Sequence, residues 1–504
     1  MEPTPLEHLD VLIVGAGISG IGAAYYLQDR LPGKTFAIIE ARAALGGTWD
    51  LFRYPGVRSD SDLHTFGFEF RPWREPKAIA PASSILNYLR DTASEFGIDK
   101  RIRYNQRVVG ADWSSEDSRW TVHIERTDVE ASGNREYLDI TTDWIFSASG
   151  YYSYDKGYAP AFAGTERFGG PIIHPQFWPE HLDYAGKRIV VIGSGATAVT
   201  IIPAMADDAA HITMIQRTPS YILPIPSEDR FAARMRRLFG TDRAHPIIRR
   251  RNIAQQRLIW RLSRRFPAQM RKFIRWANKK SLPEGFPVDE HFNPPYNPWD
   301  QRLCFVPDGD FFESIRSGKA SVVTDRIRTL TEAGVELESG AVVEADIIIT
   351  ATGLNIRPFG GARLTIDGDP VQLHDKVAYR GVMLDGVPNF AYSIGYTNAS
   401  WTLKVGLLCE YFTRLLTYMD AHGSAVCYPE RPSGDFATRP LLDFGAGYVQ
   451  RAIDDLPRQG SRSPWATSMD YYADVRMLRK SPIADRNLHF APTRHGSPTA
   501  KVSA

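Results

Sequence analysis

The feature that most constrains this chain is a glycine-rich turn that occurs twice, each time between an apolar run and a helix-like segment. The first copy reads Gly15-Ala-Gly17-Ile-Ser-Gly20 after Asp10-Val-Leu-Ile-Val14, and the second reads Gly193-Ser-Gly195-Ala-Thr-Ala198 after Arg188-Ile-Val-Val-Ile192. A strand, such a turn and a helix N-terminus together bind the pyrophosphate of a dinucleotide through backbone N–H groups and the helix dipole. Because each copy has this context, we predict two Rossmann-like dinucleotide-binding sites.

The residues that close the two units differ in charge. After a second apolar run the first unit ends at Glu40, whereas the second ends at Arg217. A carboxylate at this place accepts ribose hydroxyls and repels a phosphate, whereas an arginine favours a 2′-phosphate. We therefore expect two different dinucleotides, the second of which is NADP.

The length of 504 residues exceeds what one core supports and indicates several domains. We predict an α/β fold with two Rossmann-like dinucleotide-binding domains and a helical insertion in the second. The first domain is expected to comprise residues 1–149 and 385–504. The second is expected to comprise residues 150–221 and 296–384, with residues 222–295 as a basic helical insertion.

Much of the positive charge lies in one segment. Residues 230–280 hold 17 of the chain's 60 Lys and Arg residues but only one of its 58 acids, Asp242. Phe, Leu, Ile and Trp lie between these charges at spacings typical of basic amphipathic helices. Two interpretations stay open: the long arginine stems cover the protein's own surface, or the segment makes peripheral contact with an anionic membrane. Nucleic-acid binding is disfavoured, because no other segment resembles a nucleic-acid-reading module.

Several other classes are disfavoured by composition. No apolar run approaches the ~18 residues of a membrane span, and the N-terminal residues lack the basic start and apolar core of a signal peptide. The three cysteines, Cys304, Cys409 and Cys427, form no CxxC pair, so we expect reduced thiols and a cytoplasmic location. No metal site is predicted.

Two further segments are more specific than the glycine turns. Residues 46–60 contain Gly-Gly-x-Trp and Tyr-Pro-Gly and end at Asp60, and residues 168–179 contain Phe-x-Gly, His174 and Trp-Pro. Both match, at every defined position, the two signatures of the type I Baeyer–Villiger monooxygenases, a group of class B flavoprotein monooxygenases. The chain resembles this family over nearly its whole length. It looks most similar to the actinobacterial subgroup that includes the ethionamide-activating monooxygenase.

The resemblance implies roles for named residues. The ADP half of FAD would be held by Gly15, Gly17, Gly20 and Glu40, and the flavin side would be lined by Gly46, Gly47, Thr48, Trp49 and Asp60. NADPH would be held by Gly193, Gly195, Ala198, Arg217 and Thr218. His174 would belong to the linker that couples the position of NADPH to domain movement, rather than to the bond-making groups.

The active-site arginine of the family falls at Arg302, beside which Asp60 would act as its orienting carboxylate. Many relatives carry Lys before this arginine to help bind the 2′-phosphate, and Gln301 stands there instead. This departure bears on the strength of the NADPH preference. Phe52, Tyr54 and Trp401 are candidate pocket aromatics that are equally consistent with core residues.

The chemistry implied is a relay in which NADPH reduces FAD and the reduced flavin reacts with O2 to give a C4a-peroxyflavin. We expect oxidation of ketones to esters or lactones, with sulfoxidation as a side activity. The main alternative is a flavin monooxygenase that oxidises sulfur or nitrogen without significant ketone activity. A flavin disulfide reductase would need a cysteine pair, and a membrane-docked redox sensor would not need Arg302 and Asp60.

Overall fold

A computed structural model describes residues 6–128, 136–301, 303–434, 436–443 and 445–492. Arg302, the predicted active-site arginine, lies outside the described residues. The strands, in chain order, are β1 (His8–Val14), β2 (Phe36–Ile39), β3 (Ile102–Arg103), β4 (Gln106–Ser114), β5 (Arg119–Arg126), β6 (Tyr137–Ser147), β7 (Tyr152–Gly157), β8 (Ile172–Ile173), β9 (Arg188–Ile192), β10 (His211–Gln216), β11 (Ile222–Ile225), β12 (Cys304–Pro307), β13 (Ala320–Thr324), β14 (Ile327–Thr331), β15 (Gly334–Leu337), β16 (Val342–Glu344), β17 (Ile347–Thr350), β18 (Leu354–Ile356), β19 (Arg363–Ile366), β20 (Asp369–Pro370), β21 (Ala378–Tyr379), β22 (Met383–Leu384), β23 (Phe390–Tyr392), β24 (Val426–Pro429), β25 (Thr438–Pro440), β26 (Arg458–Gly460) and β27 (Leu488–Ala491).

Helices alternate with these strands in the pattern of a doubly wound protein. They are α1 (Ile18–Arg30), α2 (Thr48–Leu51), α3 (Leu63–Phe66), α4 (Ala82–Glu95), α5 (Ala196–Met205), α6 (Arg230–Phe239), α7 (Thr241–Arg265), α8 (Pro267–Ser281), α9 (Val288–His291), α10 (Asp310–Arg316), α11 (Trp401–Ala421), α12 (Gly447–Gln450) and α13 (Tyr471–Asp474). Short 3₁₀ turns lie at Asp99–Arg101, Thr165–Arg167, Pro175–Phe177, Pro358–Gly361 and Leu373–Asp375, and a π-helical turn follows α13 at Val475–Lys480.

The first domain is built on the sheet that contains the first glycine turn. Its central strands β6, β1, β2 and β3 are parallel, and Val11 of β1 lies between Phe36 and Trp144 of the neighbouring strands. All four residues of β2 are buried, as expected for a parallel strand covered on both faces. Helix α11 packs against α1. The first turn follows Val14, the last residue of β1, and therefore lies at the carboxyl edge of the parallel strands.

The second domain repeats this plan on a smaller scale. Strands β13, β10, β9, β17 and β8 form a parallel sheet in that order, and α5 follows β9 across the second glycine turn. Its core is apolar and fully enclosed, with Val191 and Ile349 completely buried. The predicted fold class, two Rossmann-like domains, is therefore confirmed.

The helical insertion leaves the second domain between two paired strands. Strands β11 and β12 pair in parallel, and helices α6 to α9 lie in the chain between them. None of the helices in the described ranges combines the length and the apolar character that crossing a bilayer requires.

The chain returns to the first sheet at β19. Strand β19, which starts at Arg363, pairs with β4, and β23 pairs with β6, so these strands extend the first sheet. Strand β19 precedes residue 384, the predicted boundary, and the division of the chain into domains stays a prediction. Strand β19 has only four residues, which alternate between polar and apolar, and such a short segment carries little signal of its own.

Candidate active site

Both domains and the insertion border one large cavity. Its volume is about 1470 Å³, which exceeds the roughly 300–1,000 Å³ of a pocket for one small ligand. The first domain contributes Gly15, Gly17, Glu40, Gly46, Gly47, Thr48, Trp49 and Asp60, the second contributes Ala196, Thr197, Val199 and Thr200, and the insertion contributes Asn252, Gln256, Ile259 and Trp260. The candidate aromatics Phe52, Tyr54 and Trp401 also line it. The cavity has room for more than one ligand.

The first glycine turn presents bare backbone to this cavity. Gly15 has a φ of +103°, and a Cβ there would lie 2.9 Å from the carbonyl oxygen of Ala148. A Cβ on Gly47 would lie 3.1 Å from the Cα of Gly17, so the two glycine segments touch each other. Helix α1 begins directly after Gly17 with no side-chain cap, which leaves its first N–H groups available. This arrangement fits a pyrophosphate.

Glu40 closes the first site from the end of β2. Its side chain is buried, and its carboxylate accepts hydrogen bonds from the N–H groups of Ala16 (2.7 Å) and Arg42 (2.9 Å). Burial raises the pKa of this carboxyl above its usual range. Each carboxylate oxygen keeps a further lone pair, so Glu40 suits the ribose hydroxyls for which it was predicted while it also fixes the glycine turn.

The second glycine turn is equally bare but differs in what surrounds it. Gly193 has a φ of +126°, and a Cβ there would lie 2.3 Å from the carbonyl oxygen of Ala351, whereas a Cβ on Gly195 would meet nothing within 4 Å. Arg217 follows β10 directly and is exposed, and Thr218 accepts a hydrogen bond from Ser194 Oγ at its carbonyl oxygen (3.2 Å).

Two of the predicted residues pack next to the turns without lining the cavity. Ala198 is fully buried in the core of the second domain. A Cβ on Gly20 would lie 1.9 Å from the carbonyl oxygen of Gly15, so Gly20 allows α1 to approach its own turn. Gly20 and Ala198 are not among the described residues that line the cavity. The other predicted residues that do not line it are Gly193, Gly195, Arg217, Thr218 and His174.

Residues 46–60 physically connect the two domains. A Cβ on Gly56 would lie 2.6 Å from the Cβ of Ala204 in α5, so this loop packs directly on the second dinucleotide unit. The Tyr54 ring is buried in the apolar core of the second domain, and burial raises the pKa of Tyr54 to about 12. Arg58 forms an ion pair with Asp310 of α10. The segment that carries Asp60 is therefore held from both sides.

The insertion also holds this segment. Asp62 caps α3, and its carboxylate accepts hydrogen bonds from Asn252 Nδ2 (3.0 Å) and Gln256 Nε2 (3.4 Å) of α7. Asp60 lies in the cavity wall, as do Gln301 and Leu303. Arg302 lies outside the described residues, so its meeting with Asp60 beside the flavin stays a prediction.

The segment of residues 168–179 ties the second sheet to the linker between the domains. His174 donates from Nε2 to the carbonyl oxygen of Gly353 (3.1 Å) and accepts from the N–H of Gln176 at Nδ1 (3.2 Å). These two bonds require the neutral ring, and burial lowers the pKa of His174 in agreement. Gln176 Nε2 donates to the carbonyl oxygens of Ser153 and Tyr154 in β7. The linker role of His174 stays a prediction.

Sequence reasoning missed a buried polar group in the cavity wall. The Tyr396 hydroxyl donates to Asp474 Oδ2 (2.6 Å), and Lys404 Nζ lies 3.4 Å from the same oxygen. Lys404 is 1% exposed, in the first turn of the mostly apolar helix α11. A lysine flanked by Leu and Val in an apolar helix was the available signal. Asn252 and Gln256 of α7 were also missed, because the sequence analysis of this segment considered only its charged and apolar residues.

One cavity is bordered by the first glycine turn and by α5, the helix that follows the second turn. This arrangement defines the class of two-domain, dinucleotide-dependent oxidoreductases. Comparison with known proteins narrows this class. Residues 75–364 match the flavin-binding monooxygenase-like family, and residues 13–75 match an NAD(P)-binding Rossmann-like domain.

The similarity to individual relatives covers almost the whole chain. The FAD-containing monooxygenase EthA of Mycobacterium tuberculosis is 52% identical, with 96% of this chain and 98% of EthA covered. The putative FAD-containing monooxygenase MymA of the same species is 51% identical over the same shares. An oxidised steroid monooxygenase bound to NADP has a TM-score of 0.75 at 22% identity, with 96% of this chain and 100% of that chain covered.

The chain therefore belongs to the flavin-binding monooxygenase family, in the group that contains EthA and MymA. The resemblance inferred from the two signature segments is confirmed. FAD and NADP, the two cofactors predicted, are those named for these relatives.

Proposed function

We propose that the protein is an NADPH- and O2-dependent FAD monooxygenase that converts ketones to esters or lactones, with sulfides as additional substrates. The observation that carries this proposal is the arrangement of residues 46–60. They connect the first glycine turn to α5 and place Asp60 in the wall of the shared cavity. The names of the relatives support a flavin cofactor and the use of NADP.

The two cofactors fit the two turns. FAD would lie along the first turn, with its ribose at Glu40 and its ring toward Gly46, Gly47, Thr48 and Trp49. NADPH would lie along the second turn, with its 2′-phosphate at Arg217. When bound, FAD supplies the redox chemistry: it accepts a hydride from NADPH and activates O2 for transfer of one oxygen atom.

The chain's own residues would set the outcome of that transfer. A guanidinium stays charged at every physiological pH and donates in a fixed plane. Arg302 would stabilise the negative charge that develops on a carbonyl oxygen when the ketone is attacked, and Asp60 would orient the guanidinium. The aromatic wall, where the rings of Tyr151 and Trp401 lie 5.5 Å apart, would keep water away from the reacting groups.

Product analysis with a matched substrate pair tests this function. The purified holoenzyme is incubated with NADPH and either an aryl ketone or the aryl sulfide of the same size, and products are separated by chromatography. We expect an ester from the ketone and a sulfoxide from the sulfide. Sulfoxide without ester would assign the protein to the sulfur-oxidising alternative.

Arg302→Ala separates the role of the arginine from cofactor binding. A preoriented donor to a developing negative charge is worth roughly 3–4 kcal/mol, so we expect ester formation to fall about 100- to 1,000-fold while FAD binding and hydride acceptance persist. Arg316→Ala, which removes an arginine from the surface of α10, serves as the control. Asp60→Ala should slow both flavin reduction, followed by stopped flow, and ester formation. A normal ester yield from Arg302→Ala would show that another residue has this role.

A further inference from the structure

Exposed apolar side chains are concentrated on the helical insertion. Nine of the fourteen large apolar side chains that are exposed in the described residues lie between residues 238 and 276. They are Leu238, Phe239, Ile247, Leu258, Ile259, Leu262, Phe266, Phe273 and Trp276. Single exposed apolar residues are normal on any protein surface, but such a concentration in one short segment indicates an interaction surface.

These side chains follow the helical period on the outer side of α7 and α8. On α7, Leu258 follows Ile247 by about three helical turns, and Leu262 follows Leu258 by about one turn. The three side chains therefore lie on one stripe of the helix. The stripe reaches Phe266, where α7 ends, and resumes with Phe273 and Trp276, whose rings stack 6.0 Å apart on α8. We call this set the outer stripe.

The inner side of α7 is already occupied by the protein. Arg249 is buried and donates to the carbonyl oxygens of Thr65 (3.1 Å) and Gly67 (2.8 Å). Asn252 is also buried and bonds Asp62. Since one side of α7 packs on the first domain and lines the cavity, the exposure of the outer stripe does not arise from a loosely placed helix.

The positive charge divides in the same way. Five cations of residues 230–280, among them Arg257 and Arg264, form ion pairs with acids elsewhere in the protein. Nine others are exposed and have no carboxylate partner among the described residues: Arg230, Arg234, Arg237, Arg243, Arg250, Arg265, Lys272, Lys279 and Lys280. Covering the protein's own surface therefore accounts for only part of the segment's charge.

We propose that the outer surface of α6, α7 and α8 docks on an anionic lipid bilayer. The outer stripe would enter the headgroup region, and the unpaired cations other than Arg230, which lines the cavity, would face lipid phosphates. This combination holds basic amphipathic helices at a membrane surface. A second copy of the chain is a poor occupant, because it would bring nine unpaired cations against nine. A nucleic acid is also a poor occupant, because its phosphate backbone would leave the apolar side chains of the outer stripe without apolar contacts.

The docking surface adjoins the cavity. Ile259 and Arg264 are exposed and also line the cavity, and Ile259 follows Leu258 of the outer stripe directly. A lipophilic substrate dissolved in the bilayer would thus enter the cavity without crossing bulk water. This consequence rests on the proposed monooxygenase function, whereas the docking itself does not.

Vesicle flotation of the full-length holoenzyme tests the docking without any activity measurement. Vesicles of phosphatidylcholine are compared with equimolar phosphatidylcholine and phosphatidylglycerol at increasing salt. We expect binding to the anionic vesicles at low salt that weakens as salt rises, because the attraction is screened beyond a Debye length. Binding to phosphatidylcholine alone should be much weaker.

Matched variants separate the two parts of the surface. Arg250→Gln and Lys272→Gln should each weaken partitioning by on the order of fivefold, and Phe273→Ser combined with Trp276→Ser should weaken it further. Lys100→Gln with Lys187→Gln, and Tyr137→Ser with Val342→Ser, change equally exposed residues outside the insertion and should leave flotation unchanged. Thermal melting of each variant verifies the fold.

Several results would overturn the proposal. One is no flotation with anionic vesicles even at low salt. Another is flotation that the control variants weaken as much as the insertion variants do. Tighter binding to an oligonucleotide than to the vesicles, or a concentration-dependent dimer that the insertion variants abolish without any vesicle binding, would assign the surface to a different partner. Loss of ketone oxidation with intact flotation would instead count against the proposed function alone.

Discussion

The two glycine turns share one sequence pattern, but the charged residues that end the two units differ in burial. Glu40 is buried and hydrogen-bonded, whereas Arg217 is exposed. Glu40 is 6% exposed and accepts two backbone N–H groups before any ligand arrives. Arg217 is exposed and makes no ion pair within the described ranges. A group that is already fixed loses little freedom on binding, whereas an exposed, rotamer-rich arginine must be ordered at that moment. We therefore predict that the first site keeps its dinucleotide bound and that the second site exchanges its dinucleotide.

The third position of the turns gives the largest expected effect. It is Gly20 in the first copy and Ala198 in the second, and a Cβ on Gly20 would lie 1.9 Å from the carbonyl oxygen of Gly15. We expect Gly20→Ala to lower the free energy of unfolding by about 3 kcal/mol, the upper end for overpacking against backbone. Denaturant unfolding of the holoenzyme measures this loss.

Gly195→Ala, at the second position of the other turn, is the control for adding a methyl group to a turn glycine. A Cβ there would meet nothing within 4 Å, so we expect a loss within about 1 kcal/mol, the scale of a helix N-cap change. Equal losses from the two substitutions would show that the first turn is no more tightly packed than the second.

The sequence predicted what depends on local pattern. Both turns, their flanking strands and Glu40 stand where the apolar runs and glycines indicated, because a parallel strand buried on both faces reads as a continuous apolar run.

The sequence could not predict what depends on long-range contacts. The return to the first sheet at Arg363 depends on pairing of β19 with β4, more than 250 residues earlier in the chain. The inner side of α7 holds Asp62 through Asn252 and Gln256, a role that no spacing within the insertion indicates. Such contacts exist only once distant segments meet.

Arg217→Ala tests the second site. If Arg217 binds the 2′-phosphate, its loss removes a charge-assisted hydrogen bond worth roughly 1.5–3 kcal/mol. We expect flavin reduction by NADPH to slow accordingly, about 10- to 100-fold at low coenzyme concentration, with reduction by NADH unchanged. Stopped-flow absorbance of the flavin follows both reactions. Equal rates with NADPH and NADH in the unsubstituted enzyme would contradict the assignment. The absence of a preference would then be attributed to Gln301, which stands where many relatives carry Lys.

The difference between a resident and an exchanging dinucleotide is directly measurable. After gel filtration in coenzyme-free buffer, we expect FAD to remain on the protein and NADP to be lost. A tenfold difference in Kd corresponds to about 1.4 kcal/mol, and we expect at least this much. Absorbance and mass spectrometry of the released dinucleotides measure both occupancies. Loss of FAD before NADP would reverse the comparison.

The smallest expected effect concerns the protonation of Glu40. Burial raises the pKa of this carboxyl from its ordinary value of 4.5, so folding of the apoprotein favours the protonated form. The resulting contribution to stability is complete below pH 4.5 and is lost as the pH rises through the raised pKa. Glu40→Gln cannot titrate, so its apoprotein should gain stability relative to the parent as the pH rises from 4.5 to neutral. Arg217→Ala should keep the parent's pH profile, because a guanidinium does not titrate in this range. Denaturant midpoints at a series of pH values measure both, and parallel curves for Glu40→Gln and the parent would show that Glu40 is as well solvated as Arg217.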